Sequence, residues 1–126
     1  MTPIALVYNM PEERRELVGR LAASLGLRMR PVTAAEYDRP VGSLCDADIP
    51  APAAGPWEGF PEEMMVMAFF SDALMRCFLE GFRWMGLAPV RLKAVLTPTN
   101  SAWSSRALRD ELLREEAAIR AMKKEG

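Results

Sequence analysis

Residues 64–70 read MMVMAFF, a run without a single polar side chain. A continuous apolar run of this length is typical of a short strand that is buried on both faces of a sheet. Ser71 follows it and predicts the start of a helix, which Gly86 is expected to end. Residues 90–96 are again mainly apolar and predict a second strand. The segment is therefore expected to form a strand–helix–strand unit.

The N-terminal part of the chain repeats this plan. Ile4–Tyr8 is a second apolar run, and Asn9 after it is expected to cap a helix that continues until Gly26 ends it. Residues 27–32 alternate apolar and basic side chains and include Pro31, which lacks a backbone N–H and favours an edge strand. The sequence thus predicts two similar strand–helix–strand halves.

Two strand orders place the apolar runs at the centre of one sheet. The first is an α/β fold with a four-stranded, mainly parallel sheet of order 2-1-3-4 and three helices on both faces. The second is a ferredoxin-like antiparallel sheet of order 4-1-3-2 with an additional C-terminal helix. We favour the first, because a sheet with one wet face should show alternation in its central strands, and these runs do not alternate. In both orders strands three and four point the same way, so Ser71 and Thr97 are expected at the same end of the sheet.

The length of 126 residues fits a single domain. We expect a first half at 1–33, a Pro-rich connection at 34–63, a second half at 64–97 and a C-terminal helix at 98–126. Trp57 and Phe60 indicate that part of the connection packs against the sheet.

Composition excludes several kinds of chemistry. The chain has no histidine, which removes the most common general base and zinc ligand, and no phosphate-binding glycine motif. Its net charge of −1 and the lack of a long apolar stretch give no basis for nucleic-acid or membrane binding. We expect a cytoplasmic protein with free thiols. The carboxylates of Asp46 and Asp48 should disfavour the thiolate of Cys45, and Cys77 is expected to be buried.

Residues 92–103, LKAVLTPTNSAW, form the most distinctive segment. The segment, with the acidic helix after it, resembles the signature of a bacterial family known as domain of unknown function 3783. The resemblance covers roughly residues 60–118, and residues 4–44 more loosely. It implies no activity and no cofactor.

The same segment contains the candidate ligand site. Hydroxyl and amide side chains precede the predicted third helix, whose N-terminal N–H groups favour an anion such as phosphate or carboxylate. The alternative is ordinary capping and turn chemistry around Pro98. The candidate ligand-binding residues are Ser71, Asp72, Lys93, Thr97, Thr99, Asn100 and Arg106.

The second helix is more apolar than one small sheet requires. Either the Pro-rich connection and the third helix bury this excess, or a partner does, which would be a second copy of the chain, as in a homodimer, or another protein. The candidate interface residues are Met75, Phe78, Leu79, Phe82 and Trp84.

The favoured function is a non-catalytic cytoplasmic module for protein interaction or for binding a small ligand such as an anion, without catalytic residues, cofactor or metal. One alternative is a transferase or hydrolase acting on a phosphorylated small molecule. It would depend on Lys93 and Asp72, with Thr97 or Ser71 as nucleophile, in a shared cleft. Another alternative is a subunit of a larger assembly.

Overall fold

The computed structural model describes residues 1–46 and 58–125. In chain order the elements are β1 (Ile4–Tyr8), α1 (Glu12–Ser24), β2 (Arg28–Val32), a 3₁₀ helix (Ala34–Glu36), α2 (Val41–Leu44), β3 (Met64–Ala68), α3 (Asp72–Trp84), β4 (Leu92–Val95), a second 3₁₀ helix (Asn100–Ala102) and α4 (Ser105–Glu125). None of the helices in this part of the chain is long and apolar enough to cross a membrane.

The four strands form one mixed sheet of order β2-β1-β3-β4. The outer pairs, β1 with β2 and β3 with β4, are parallel, whereas the central pair, β1 with β3, is antiparallel. The favoured α/β prediction of a mainly parallel 2-1-3-4 sheet is confirmed, and the ferredoxin-like order 4-1-3-2 is wrong. The predicted common direction of the third and fourth strands is also confirmed.

Helices cover both faces of the sheet, which explains the lack of alternation in β1. Ala5 and Val7 face α1 and α3, in a core that includes Phe78. Ile4, Leu6 and Tyr8 point to the opposite face, where the start of α4 and α2 pack. All five positions of β1 are therefore buried. The same is true of β3.

The two halves are related by an approximate twofold axis. Ile4 and Met64 begin the central strands, and Gly26 and Gly86 follow α1 and α3 with φ angles of 71° and 70°. Each pair is separated by sixty residues. The antiparallel register places Leu6 opposite Val66 at the centre of the sheet. An axis through this point and perpendicular to the sheet exchanges the halves and keeps both helices on one face.

Asn9 does not cap α1, and this expectation is wrong. The residue has a φ of 58°, a left-handed conformation that asparagine tolerates better than most residues. Its side-chain amide donates to the backbone carbonyl oxygens of Phe60 and Glu62. Asn9 thus attaches the end of the connection to the sheet, while α1 begins without a side-chain cap.

The described parts of the connection pack on the sheet, as predicted. Tyr37, Val41, Leu44 and Phe60 are buried against the face that also carries α4. The rings of Tyr37 and Phe60 stack with centroids 4.4 Å apart. Trp57 and the Pro-rich centre of the connection lie outside the described residues.

Candidate functional site

A groove of about 350 Å³ lies along β4 and is closed on its other side by α4. Four of the seven candidate ligand residues line it: Lys93, Thr97, Thr99 and Asn100. We call this cavity the β4–α4 groove. Residues 92–103, the most distinctive segment of the sequence, therefore form one wall of a cavity.

The outer edge of β4 opens into this groove. The N–H groups of Leu92 and Leu96 donate to backbone oxygens of the segment that contains β3, at 3.3 and 2.9 Å. Because backbone groups along a strand point alternately to its two sides, those of Lys93 and Val95 point away from the sheet. No strand within residues 1–46 or 58–125 pairs with this edge.

Asn100 closes one end of the exposed edge. Its side-chain nitrogen donates to the Val95 carbonyl at 3.0 Å, and its side-chain oxygen accepts from the Thr97 N–H at 2.8 Å. The Thr97 hydroxyl in turn accepts from the Asn100 N–H at 3.1 Å. These polar groups satisfy one another, so the capping alternative describes their geometry. The N–H groups of Thr97 and Asn100 are therefore already engaged and are not free donors for an anion.

The groove is lined by acidic side chains of α4 and by apolar side chains. Glu111 and Glu115 are one helical turn apart and line the groove, whose floor includes Leu112 and Trp103. Glu111 accepts a hydrogen bond from Arg114 at 2.8 Å. Among the described residues no hydrogen bond or ion pair engages Glu115. Negative side chains on the α4 wall repel a phosphate and attract a cationic side chain, while Lys93 contributes a positive charge on the β4 side of the groove.

A two-pronged ion pair fixes α4 against the start of β4. The Arg91 guanidinium donates to both carboxylate oxygens of Glu116, at 3.1 and 2.8 Å. Hydrogen bonding to this guanidinium holds the pKa of Glu116 below its ordinary value. The contact joins α4 to the chain directly before β4, since Arg91 immediately precedes that strand.

The other three candidate ligand residues lie elsewhere. The Ser71 hydroxyl accepts from the Leu74 N–H at 3.1 Å and caps α3, and Asp72 is exposed in the first turn of that helix. Arg106 binds Asp38 at 3.3 Å and the Glu58 carbonyl. The sheet separates α3 from α4, which explains why Ser71 and Asp72 do not reach the groove. Arg106 lies in the first turn of α4, but its contacts with Asp38 and Glu58 hold it against the connection instead.

The predicted interface residues on α3 differ in their exposure: some are buried in the core and others face solvent. Phe78 and Phe82 are buried in the core beneath α1 and α3, so they present no surface to a partner. Met75 and Leu79 are half-buried, whereas Trp84 is 87% exposed. The excess apolar surface of α3 is thus partly absorbed by the fold itself.

The prediction for one cysteine is wrong, and the predicted protonation state of the other agrees with the structure. Cys77 is exposed, so the prediction that it is buried is wrong. Burial raises the pKa of the Cys45 thiol to about 11, which agrees with the expected protonated state. The main cause is burial, and the nearby Arg30 guanidinium acts in the opposite direction.

The residues of the alternative enzymatic site do not share a cleft. Lys93 lines the β4–α4 groove and also a small cavity beside Leu79 and Phe82 of α3, whereas Asp72, at the start of α3, lines neither of these two cavities. Within the described ranges, no group of three His, Cys, Asp or Glu side chains is arranged to hold a metal ion.

Sequence reasoning missed Val95, Glu111 and Glu115 as lining residues. A signal for the two acids was present, because their spacing of one helical turn places them on one face of the third helix. Val95 gave no such signal, since its place in the groove depends on where α4 packs beside β4.

The fold and the groove define a mixed α/β domain made of two strand–helix–strand halves with an open edge strand. The family model described as "Domain of unknown function (DUF3783)" matches residues 63–125, half of the 126 residues. The chain belongs to this family. The match includes β3, α3, β4 and α4, and therefore the whole groove, but not the first half. No curated protein and no solved structure matches the chain.

Proposed function

We propose that this protein is a non-catalytic interaction module that binds an extended segment of a partner protein in the β4–α4 groove. The observation that carries the proposal is the outer edge of β4, where the N–H groups of Lys93 and Val95 face the groove. A segment that pairs with this edge gains main-chain hydrogen bonds, and its alternate side chains enter the groove.

The groove indicates the chemistry of the bound segment. Leu112 and Trp103 offer apolar contact to one side chain of an added strand. Glu115 has no hydrogen bond or ion pair among the described residues and favours a lysine or arginine at a neighbouring position, because opposite charges attract. Glu111, which Arg114 already contacts, adds to the negative charge on this side of the groove. The proposed partner is therefore an extended segment that carries an apolar and a basic residue.

The opposite edge of the sheet, formed by β2, differs from the edge at β4, and the difference supports this assignment. Pro31 occupies an outward-facing position of β2, where it removes the N–H that an added strand would need. Its counterpart in the second half, by strand register, is Val95. One edge of the sheet is thus blocked, and the equivalent position of the other edge retains its donor.

The alternatives have less support in the structure. A phosphate would meet Glu111 and Glu115 in the groove, and Thr97 and Asn100 already bind each other. The transferase or hydrolase alternative needs Lys93 and Asp72 in one cleft. We further propose a cytoplasmic location in a bacterium, which is supported by the family resemblance and by cysteines without disulfide partners in the described residues.

A displayed library of random peptides tests the proposal with defined probes. Peptides selected on the wild-type protein are synthesised and titrated against Val95→Pro, which copies the blocked edge of β2, and against Val95→Thr, which keeps the N–H. We expect Val95→Pro to weaken binding by about tenfold or more, from loss of a main-chain hydrogen bond, and Val95→Thr to bind like wild type.

Circular dichroism is the check that Val95→Pro is folded. Selected peptides should contain a lysine or arginine, and Glu111→Gln/Glu115→Gln should weaken their binding. The proposal is wrong if no peptide is enriched, or if the enriched peptides bind the folded Val95→Pro variant as tightly as wild type.

A further inference from the structure

The end of α4 extends beyond the rest of the protein. The last side chain of the helix with a hydrogen bond to another described element is Glu116, which binds Arg91. Every residue from 117 to 124 is exposed. We call residues 117–124 the α4 arm. It amounts to about two helical turns, or roughly 12 Å.

The α4 arm carries apolar side chains that are largely exposed in the described structure. Leu108 is buried, and Leu112 is half-buried, on the side of α4 that packs on the sheet. The stripe continues with Ile119 and Met122, which are 54% and 72% exposed. Helical segments of this length gain little stability from the backbone alone, so an apolar stripe on such a segment is expected to pack against something.

The charges around Ile119 are self-complementary. Glu115 lies one helical turn before it and Lys123 one turn after it, on the same side of the helix. If two copies of α4 cross antiparallel at Ile119, a twofold axis brings Glu115 of each copy opposite Lys123 of the other. A parallel arrangement would place like charges together.

We propose that the α4 arm binds the α4 arm of a second copy of this chain. Ile119 lies on the twofold axis, Met122 packs beside it, and two symmetric Glu115–Lys123 ion pairs flank this contact. Such an interface is isologous and closes after two copies. Because the contact involves only a short helical segment, the dimer is expected to be weak and concentration-dependent.

This dimer shares Glu115 with the proposed peptide groove but is centred elsewhere. Its centre at Ile119 lies beyond the Arg91–Glu116 ion pair, beside a second cavity of about 380 Å³ that Ile119 and Lys123 line. It leaves the edge of β4 at Val95 uncovered. Val95→Pro should therefore leave the dimer intact even where it abolishes peptide binding.

Sedimentation equilibrium of the full chain over a wide range of concentrations tests the dimer. We expect wild type to form a reversible dimer and Ile119→Asp to remain monomeric. Since Ile119 is largely exposed, the variant should fold normally, and circular dichroism provides the check. Trp84→Ala is the matched control, because it removes an exposed aromatic side chain from α3 instead. A monomeric wild-type protein at all concentrations, or a dimer that Trp84→Ala disrupts and Ile119→Asp does not, would overturn the proposal.

Charge reversal tests the antiparallel arrangement. Glu115→Lys and Lys123→Glu should each weaken dimer association by about tenfold, because each turns two attractive pairs into repulsive ones. The double variant Glu115→Lys/Lys123→Glu restores opposite charges at both positions and should regain wild-type association. Single variants that dimerise like wild type, or a double variant as weak as the singles, would contradict this arrangement.

Discussion

Leu21 and Gly81 occupy equivalent positions in the two halves and meet where α1 packs against α3. A Cβ atom added to Gly81 would lie 2.5 Å from Cδ1 of Leu21 and 2.8 Å from Cδ2. The approximate twofold axis thus brings together two residues of opposite size. The absence of a side chain on one helix makes room for the leucine of the other.

Gly81→Ala should destabilise the protein although alanine favours helices. The new methyl group has to displace Leu21, at a cost of about 1–3 kcal/mol, which exceeds the roughly 0.5–1 kcal/mol gained from helix propensity. Urea unfolding measures the difference. Gly19→Ala is the matched control in α1, because its Cβ would meet only the terminal methyl of Met29, at 3.3 Å. That variant should be neutral or slightly more stable.

Leu21→Ala/Gly81→Ala tests the pairing of these residues directly. If the clash is the cause, the double variant should lose less stability than the sum of the two single variants, because the smaller side chain makes room for the methyl group. Strictly additive losses would show that Gly81 is required for another reason.

Asn100→Ala should destabilise the protein by about 2–3 kcal/mol, because it leaves the Val95 carbonyl and the Thr97 N–H without their partner in a partly buried place. Thr99→Ala removes an exposed neighbour and should change the free energy of unfolding by less than about 0.5 kcal/mol. Urea unfolding of both variants distinguishes capping from ligand binding as the role of this turn. Equal effects of the two substitutions would contradict the capping role.

Arg30 and Glu36 form a buried ion pair with 3.2 Å between Nη2 and Oε1. Glu36 is fully buried, and its other oxygen has no hydrogen-bond partner among the described residues. Arg30→Met should therefore cost about 3–5 kcal/mol, because an unpaired carboxylate remains in the core. Arg30→Met/Glu36→Leu should recover most of this loss in thermal unfolding. A double variant no more stable than Arg30→Met would show that the ion pair is not the cause.

The stability of the fold should fall in alkaline solution. Burial raises the pKa of Cys45 from its ordinary value of 9.0 to about 11, so the folded state holds the proton more tightly than the unfolded state. This contribution is complete below about pH 9 and is lost as the pH rises towards about 11. Burial also raises the pKa of Tyr8, which acts in the same direction.

Urea unfolding of Cys77→Ser at pH 8 and pH 10 checks this pH dependence. The matched variant Cys45→Ala/Cys77→Ser should lose less stability between the two conditions. In wild type a thiol reagent at pH 8 should modify exposed Cys77 rapidly and Cys45 slowly. Equal rates at the two cysteines would contradict the burial of Cys45.

Local signals in the sequence account for much of the fold. The apolar runs at Ile4–Tyr8 and Met64–Ala68 predicted strands that are covered on both faces. Ser71 predicted the cap of α3, and Gly26 and Gly86 predicted the ends of the first two long helices. These predictions succeed because each depends on the backbone preferences and burial of a few neighbouring residues.

Other predictions depended on contacts between distant parts of the chain. Asn9 is a plausible helix cap by local criteria, but its amide binds backbone atoms that lie more than fifty residues away. The sequence placed Cys77 among apolar residues of a helix, yet only the position of that helix on the sheet decides which side is exposed.

The sequence by itself determined that the chain contains two similar strand–helix–strand halves and that residues 92–103 are its most distinctive segment. Only the tertiary structure decided what surrounds that segment. Both strand orders considered from the sequence place β4 at an edge, but only the packing of α4 on the face opposite α3 puts Glu111 and Glu115 beside that edge. The physical reason is that strand order and helix placement follow from burial summed over the whole sheet, which no single segment specifies.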